Sequence, residues 1–155
     1  YEGATGITEN AFINVKNSSL SFTADVEVGA NASGVILCQG GDFGGWTFYM
    51  LDGKPHYSYN WVGLETYTIA STQKVPPGKH TIKFDFAYEG GRGAGGKGTL
   101  SVEGNIPKTN SNTFGIDESA DVGTDQNTPV LPAYHGKENF TGKINKVTVE
   151  TFPGK

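Results

Sequence analysis

The chain has 155 residues, with 16 Asp and Glu against 12 Lys and Arg, a formal net charge of −4 and a pI near 5.3. No polycationic surface can be built from that balance, so nucleic acid and anionic membrane surfaces are not expected partners. With Gly at 23 residues, Pro at 7 and aromatics at 12%, the composition suits short strands and tight turns, and the length suits one domain burying roughly two thirds of its unfolded surface.

In chain order, SLSFTADVEV (residues 19–28) alternates strictly, with Leu20, Phe22, Ala24, Val26 and Val28 facing one way and Ser21, Thr23, Asp25 and Glu27 the other. That pattern predicts a strand with one buried face. GVILCQGG (34–41) is a continuous apolar run closed by glycines and predicts an inner strand. WTFYMLDGKPHYSYNW (46–61) predicts a hairpin turning at Asp52-Gly53, and ETYTIAST (65–72) predicts a short strand. Pro76, Pro77 and Gly78 break the sheet before KHTIKFDFAYE (79–89), where Ile82, Phe84 and Phe86 alternate with Thr81, Lys83 and Asp85. TLSVEG (99–104) predicts a further strand, and INKVTVETF (144–152) a terminal one.

No window sustains the spacing of an amphipathic helix. About nine or more strands with mostly antiparallel links require two packed sheets, because a single sheet would leave one apolar face wet. The expectation is an all-β, two-sheet antiparallel sandwich, a concanavalin-like jelly roll, with residues 1–155 as a single domain and no fixed-period repeat.

Cys38 is the only cysteine, so no internal disulfide can form, and a buried structural thiol is expected. The chain begins at Tyr1 without Met and shows neither a charged-then-apolar leader nor an apolar run of transmembrane length, as expected of a piece of a longer protein. Sequons at Asn17, Asn31 and Asn139 matter only in a glycosylating secretory pathway.

The stretch EGGRGAGGKGT offers two nucleotide-binding lookalikes, Gly91, Gly93 and Gly96 in G-x-G-x-x-G and Gly91 to Lys97 in G-x-x-x-x-G-K. Gly98 stands where a Mg²⁺-binding Ser or Thr is needed, and a strand pattern rather than a helix follows. A flexible loop joining two strands fits better, with Arg92 and Lys97 as candidate contacts to an anionic ligand. His56, His80 and His135 are scattered without metal-ligand spacing, no G-x-S-x-G elbow occurs, and no catalytic residue is assigned. Asp25 and Glu27 have the alternate spacing of paired glycosidase carboxylates, but they lie opposite their strand's apolar stripe and read as an ordinary polar face.

Two features stay open. Tyr57, Tyr59 and Trp61 share one face of a strand and, with Trp46, could be a flat platform for a glycan or a contact to another domain; the same stripe between sheets is core. FGIDESADVGTDQNTPV (114–130) gathers Asp117, Glu118, Asp121 and Asp125 without one Lys or Arg. Asp117, Asp121 and Asp125, with Gln126 or Asn127, could supply several oxygens to a Ca²⁺ ion, although the spacing is not the EF-hand ladder. A solvated loop with Asx turns explains the same residues.

GVILCQGGDFGGWTFYMLDGKPHYSYNWVGLETYTI, then VPPGKHTIKFDFAYEGG, then DESADVGTDQNTPV with NFTGKINKVTVE resemble, in order, the C-terminal region of the long bacterial arylsulfatases of the formylglycine-dependent sulfatase family. The resemblance covers roughly residues 20 to 150. It implies a noncatalytic accessory domain whose partner is the sulfatase catalytic domain in the same polypeptide, in the periplasm or outside the cell. It implies that Ca²⁺ and formylglycine belong to that catalytic domain and that this chain holds no cofactor: the motif C/S-x-P/A-x-R is absent, and Cys38 sits in CQGG. Asn127 stands where such proteins often have glycine, and Asp42 where a basic residue is expected. An independent glycan-binding, lectin-like module is the alternative expectation, and a glycosidase using Asp25 and Glu27 a third.

Overall fold

The structure, a computed structural model, describes residues 4–5, 7–8, 18–41, 44–90, 94–100, 103–108, 119–125, 130 and 139–153. Its strands are β1 (Ile7–Thr8), β2 (Ser18–Val28), β3 (Gly34–Gly41), β4 (Gly44–Leu51), β5 (Lys54–Trp61), β6 (Glu65–Ala70), β7 (Gly78–Tyr88), β8 (Ala94–Thr99), β9 (Glu103–Lys108), β10 (Ser119–Val122) and β11 (Lys143–Pro153). They form a six-stranded sheet, ordered β1-β10-β3-β4-β5-β6, and a five-stranded sheet, ordered β11-β2-β7-β8-β9, with every pairing antiparallel. No helix occurs among the described residues. The architecture is the all-β sandwich of jelly-roll type that the alternation pattern predicts.

The core is built from the alternating residues of both sheets. Phe22, Ala24 and Val26 of β2 and Phe84 of β7 face Phe48 and Tyr57 of β4 and β5, and all belong to one buried cluster. Phe22 stacks on Trp46 at 4.7 Å between ring centroids, and Tyr57 stacks on Phe84 at 3.9 Å with an 11° interplanar angle. Burial of such rings stabilises the fold by about 1.5–3 kcal/mol each. The β4–β5 hairpin turns at Asp52 (φ 49°) and Gly53 (φ 79°), the doubly left-handed geometry that Asp-Gly accommodates.

The register of β3 explains its unbroken burial. A shift between Val35 and Leu37 lets Val35 and Cys38 both face outward, opposite Tyr49 and Thr47 of β4. There they form a second, smaller apolar cluster with Tyr49 and Val130, so the six-stranded sheet is covered on both faces at this place.

Two elements differ from the sequence reading. The glycine-rich stretch is not all loop: β8 occupies Ala94–Thr99, so of TLSVEG Thr99 ends β8 and Glu103 and Gly104 begin β9, while Ser101 and Val102 lie outside the described residues. A Cβ on Gly96 would lie 2.6 Å from the Phe86 ring, and one on Gly98 2.8 Å from the Phe84 ring, so glycine lets β8 pass against the core aromatics. β10 runs through the acidic stretch and takes part in the ladder, pairing Asp121 with Cys38.

Candidate functional site

The registers place one row of polar side chains across the outer face of the six-stranded sheet. Asp121 of β10 lies opposite Cys38 of β3, Cys38 opposite Thr47 of β4, Thr47 opposite Ser58 of β5, and Ser58 opposite Thr68 of β6. Cys38, Thr47, Ser58 and Asp121 are buried, which is unusual for the outer face of a sandwich. Val130 rests on this face beside Cys38, donating its N–H to Asp125 Oδ2 at 2.8 Å and accepting from Asn60 Nδ2 at 3.1 Å through its carbonyl. Ser58 Oγ is shared between the Tyr49 hydroxyl at 3.0 Å and Thr68 Oγ1 at 2.8 Å. The Thr47 hydroxyl is buried with no hydrogen-bond partner among the described residues.

The Cys38 thiol and one carboxylate oxygen from each of Asp121 and Asp125 lie within 4.8 Å of one another. Burial first, and then the charges of Asp125 and Asp121, push the thiol well above its ordinary range, which keeps it protonated and unreactive. Its Sγ lies 3.4 Å from the Thr124 carbonyl oxygen, to which the thiol donates. A sulfur donor and two carboxylates are a poor match to the six to eight oxygens that Ca²⁺ takes. Of the acidic residues considered for a cation, Asp121 belongs to a strand and Asp125 to the Val130 anchor. Asp117 lies outside the described residues, as do Glu118, Gln126 and Asn127.

The aromatic stripe takes the interior position. Trp46 is 1% exposed, Tyr57 3% and Tyr59 5%, all packed between the sheets, so these rings offer no face to a glycan or a second domain. Trp46 Nε1 donates to Gln39 Oε1 at 3.2 Å inside the core. Trp61, at the end of β5, is the one partly buried member, at the rim beside the exposed Leu64. Lys97 is exposed on the outer face of the five-stranded sheet, since its neighbours Gly96 and Gly98 face the core. It is therefore on the opposite side of that sheet from the aromatic set. Arg92 and Asp42 lie outside the described residues, as do Gly91, Gly93, His135 and Asn17.

Asp25 and Glu27 stand on the same solvated outer face as Lys97. Asp25 accepts from Thr81 Oγ1 at 2.9 Å, and Glu27 lies 3.9 Å from both Lys79 Nζ and Lys143 Nζ. These contacts are those of an ordinary charged sheet surface, and among the described residues Asp25 is the one carboxylate lining the shallow groove beside Lys79, His80 and Asn145.

One cleft escaped the sequence reading. β7 pairs with β8 only from Asp85 to Tyr88, so among the described residues the earlier part of β7 has no strand on its far edge. The segment after β6 and Leu100 close this gap into a cleft of about 310 Å³ lined by Pro55, Lys74, Pro76, His80, Lys83 and Leu100, among others, with no carboxylate in its wall among the described residues. His80 Nε2 is buried there without a hydrogen-bond partner among the described residues. Lys74 donates to Asn31 Oδ1 at 2.7 Å, and Lys83 lies 3.7 Å from Asp85. Only the inward parity of His80, in step with Ile82 and Phe84, marks it in the sequence.

No protein-family model matches the chain, and no curated protein is similar to it in sequence. Solved structures are similar in fold. Domains LG4-5 of the mouse laminin α1 chain align with a TM-score of 0.63 at 14% identity over 88% of this chain. The CBM40 of the Ruminococcus gnavus IT-sialidase aligns at 0.59 with 16% identity over 87%, and a native heptameric SAP-like pentraxin from Limulus polyphemus at 0.52 with 11% identity over 89%. The chain spans 36% of the laminin chain, 76% of the sialidase module and 71% of the pentraxin. At such identities the likeness is one of fold, a jelly-roll-like β-sandwich.

Proposed function

We propose that this chain is a noncatalytic β-sandwich domain of a sulfatase, packing on the catalytic domain of the same polypeptide and shaping the approach of its sulfate-ester substrate. The observation that carries this reading is the ordered sequence resemblance from β2 to β11. It includes DESADVGTDQNTPV, whose Asp121, Asp125 and Val130 bind the outer face of the six-stranded sheet. None of the fold neighbours named above is a sulfatase, so the support is from sequence. The noncatalytic part is supported by the single thiol, which is buried and protonated, and by Asp25 and Glu27, which are engaged by Thr81, Lys79 and Lys143. Ca²⁺ and formylglycine belong, in this reading, to the catalytic domain, in a periplasmic or extracellular enzyme. Sequencing the coding DNA upstream of Tyr1 tests it. An in-frame C/S-x-P/A-x-R with metal-binding carboxylates is the expected result, and a leader peptide and start codon directly before Tyr1 would overturn it.

A second reading, an independent glycan-binding module, is favoured by the likeness to a sialidase CBM40 and by the cleft beside β7. Pro55, Pro76 and Leu100 offer apolar surface to a sugar ring, while Lys74, Lys83 and His80 suit an acidic substituent. Titration against neutral and acidic glycans decides it: saturable binding lost in Lys74→Ala supports the module, and flat curves across the series remove it.

A further inference from the structure

The five-stranded sheet ends on β11, and among the described residues nothing pairs with the outer edge of that strand from Lys146 to Phe152. Such an edge is a template for another strand unless it is blocked. Here the devices that block edges sit at the two ends of the window: a bulge between Ile144 and Lys146, and Pro153, which has no N–H to donate. Between them the sequence is KVTVETF, well suited to extended pairing.

The side chains in this window are arranged symmetrically about Thr148. Val147 and Val149 point inward and pack against the core, yet both are only partly buried, and among the described residues no strand lies beyond them. Lys146 and Glu150 point outward, are exposed, and form no ion pair among the described residues. An antiparallel second copy with its two-fold axis at Thr148 sets Lys146 opposite Glu150 of the second copy, Glu150 opposite its Lys146, and each inward valine opposite an inward valine. Moving the axis to Val147 sets Lys146 opposite Thr148 and Glu150 opposite Ile144. Moving it to Val149 sets Lys146 opposite Phe152 and Glu150 opposite Thr148. An axis between two residues puts inward side chains opposite outward ones, which a sheet with one buried face resists. Only the Thr148 register satisfies both charges and both faces.

We propose that β11 is a two-fold contact through which two copies of this chain join their five-stranded sheets edge to edge, in the register centred on Thr148. Lys146 alone would act as an edge-blocking lysine; Glu150 at the mirror position turns that charge into an attraction for a second copy. The contact is small, so the dimer is reversible and concentration-dependent. It does not depend on the sulfatase reading.

Sedimentation velocity on the 155-residue chain, from dilute to concentrated solution, tests the proposal with the variants Lys146→Glu, Glu150→Lys and the double exchange. The wild-type chain is expected to move from monomer to dimer with concentration. Each single variant places two like-charged pairs across the axis and should weaken association roughly 10- to 100-fold. The double exchange restores opposite pairs and should recover it. A wild-type chain that stays monomeric, single variants that associate like wild type, or a double variant that remains as weak as the singles would each overturn the proposal.

Discussion

The carboxylate of Asp125 accepts the backbone N–H of Val130 at 2.8 Å, while the amide of Asn60 reaches the Val130 carbonyl at 3.1 Å. One residue is thus held at both ends of its backbone, and its side chain rests on Val35, Cys38 and Tyr49. Asp125→Ala leaves a buried N–H unsatisfied and should lower stability by about 1–3 kcal/mol, read as a reduced denaturation midpoint at unchanged slope. Asn60→Ala should cost a similar amount. A wild-type midpoint in Asp125→Ala would show that the segment after β10 is not anchored by this carboxylate.

Alkaline pH should destabilise the protein through three buried groups. Burial raises Tyr57 well above the usual phenol range and Tyr49 above it, and burial with the neighbouring carboxylates raises Cys38. In the unfolded chain these groups lose their protons first, so the stability they contribute is complete below the unfolded values, near 9 for the thiol and 10 for the phenols, and is lost as pH rises beyond them. Thermal unfolding followed from neutral pH to pH about 11 should show the midpoint falling above pH about 9. The Cys38→Ser variant removes one of the three and should lose part of the slope. In the same protein at neutral pH, a thiol reagent should label Cys38 only after denaturant is added.

The two tryptophans should separate stability from surface. Trp46 stacks on Phe22 inside the core, and Trp46→Ala should cost about 3–5 kcal/mol. Trp61 stands partly buried at the rim, and Trp61→Ala should cost less than half as much. Fluorescence quenching by iodide offers a second measure: the Trp61→Phe protein, left with Trp46 alone, should resist quenching in the native state. Equal destabilisation by the two alanine variants would contradict this division.

The strands were legible where period-two patterning was clean. β2 and β7 carry an apolar residue at every second position because one face of each meets the core, and the Asp-Gly turn marks the hairpin that β4 and β5 form. β8 was not legible, since a run of glycines has no side-chain period and its fit under Phe84 and Phe86 depends on residues distant in the chain. β10 was hidden for a different reason: Asp121 is polar but buried, paired across the sheet with Cys38, and charge alone read as solvated loop. The same limit applies to Tyr57 and Tyr59, whose alternation showed a shared face without showing which side of the sheet was dry. The cleft beside β7 arises from the short length of β8, a property of pairing partners that no local pattern carries.

The pairing of β2 with β11 joins residues far apart in the sequence, Leu20 with Thr151 and Phe22 with Val149. During synthesis on a ribosome, β2 therefore emerges long before the strand that completes its sheet, and for that interval its apolar side has β7 as a neighbour but nothing on the other edge. Closure of this sheet must wait until β11 has cleared the exit tunnel, and such non-local pairing is slow. Thr23, Asp25 and Glu27 alternate on the outer face of that waiting strand, and polar side chains at those positions are the kind that disfavour self-association of an unpaired strand.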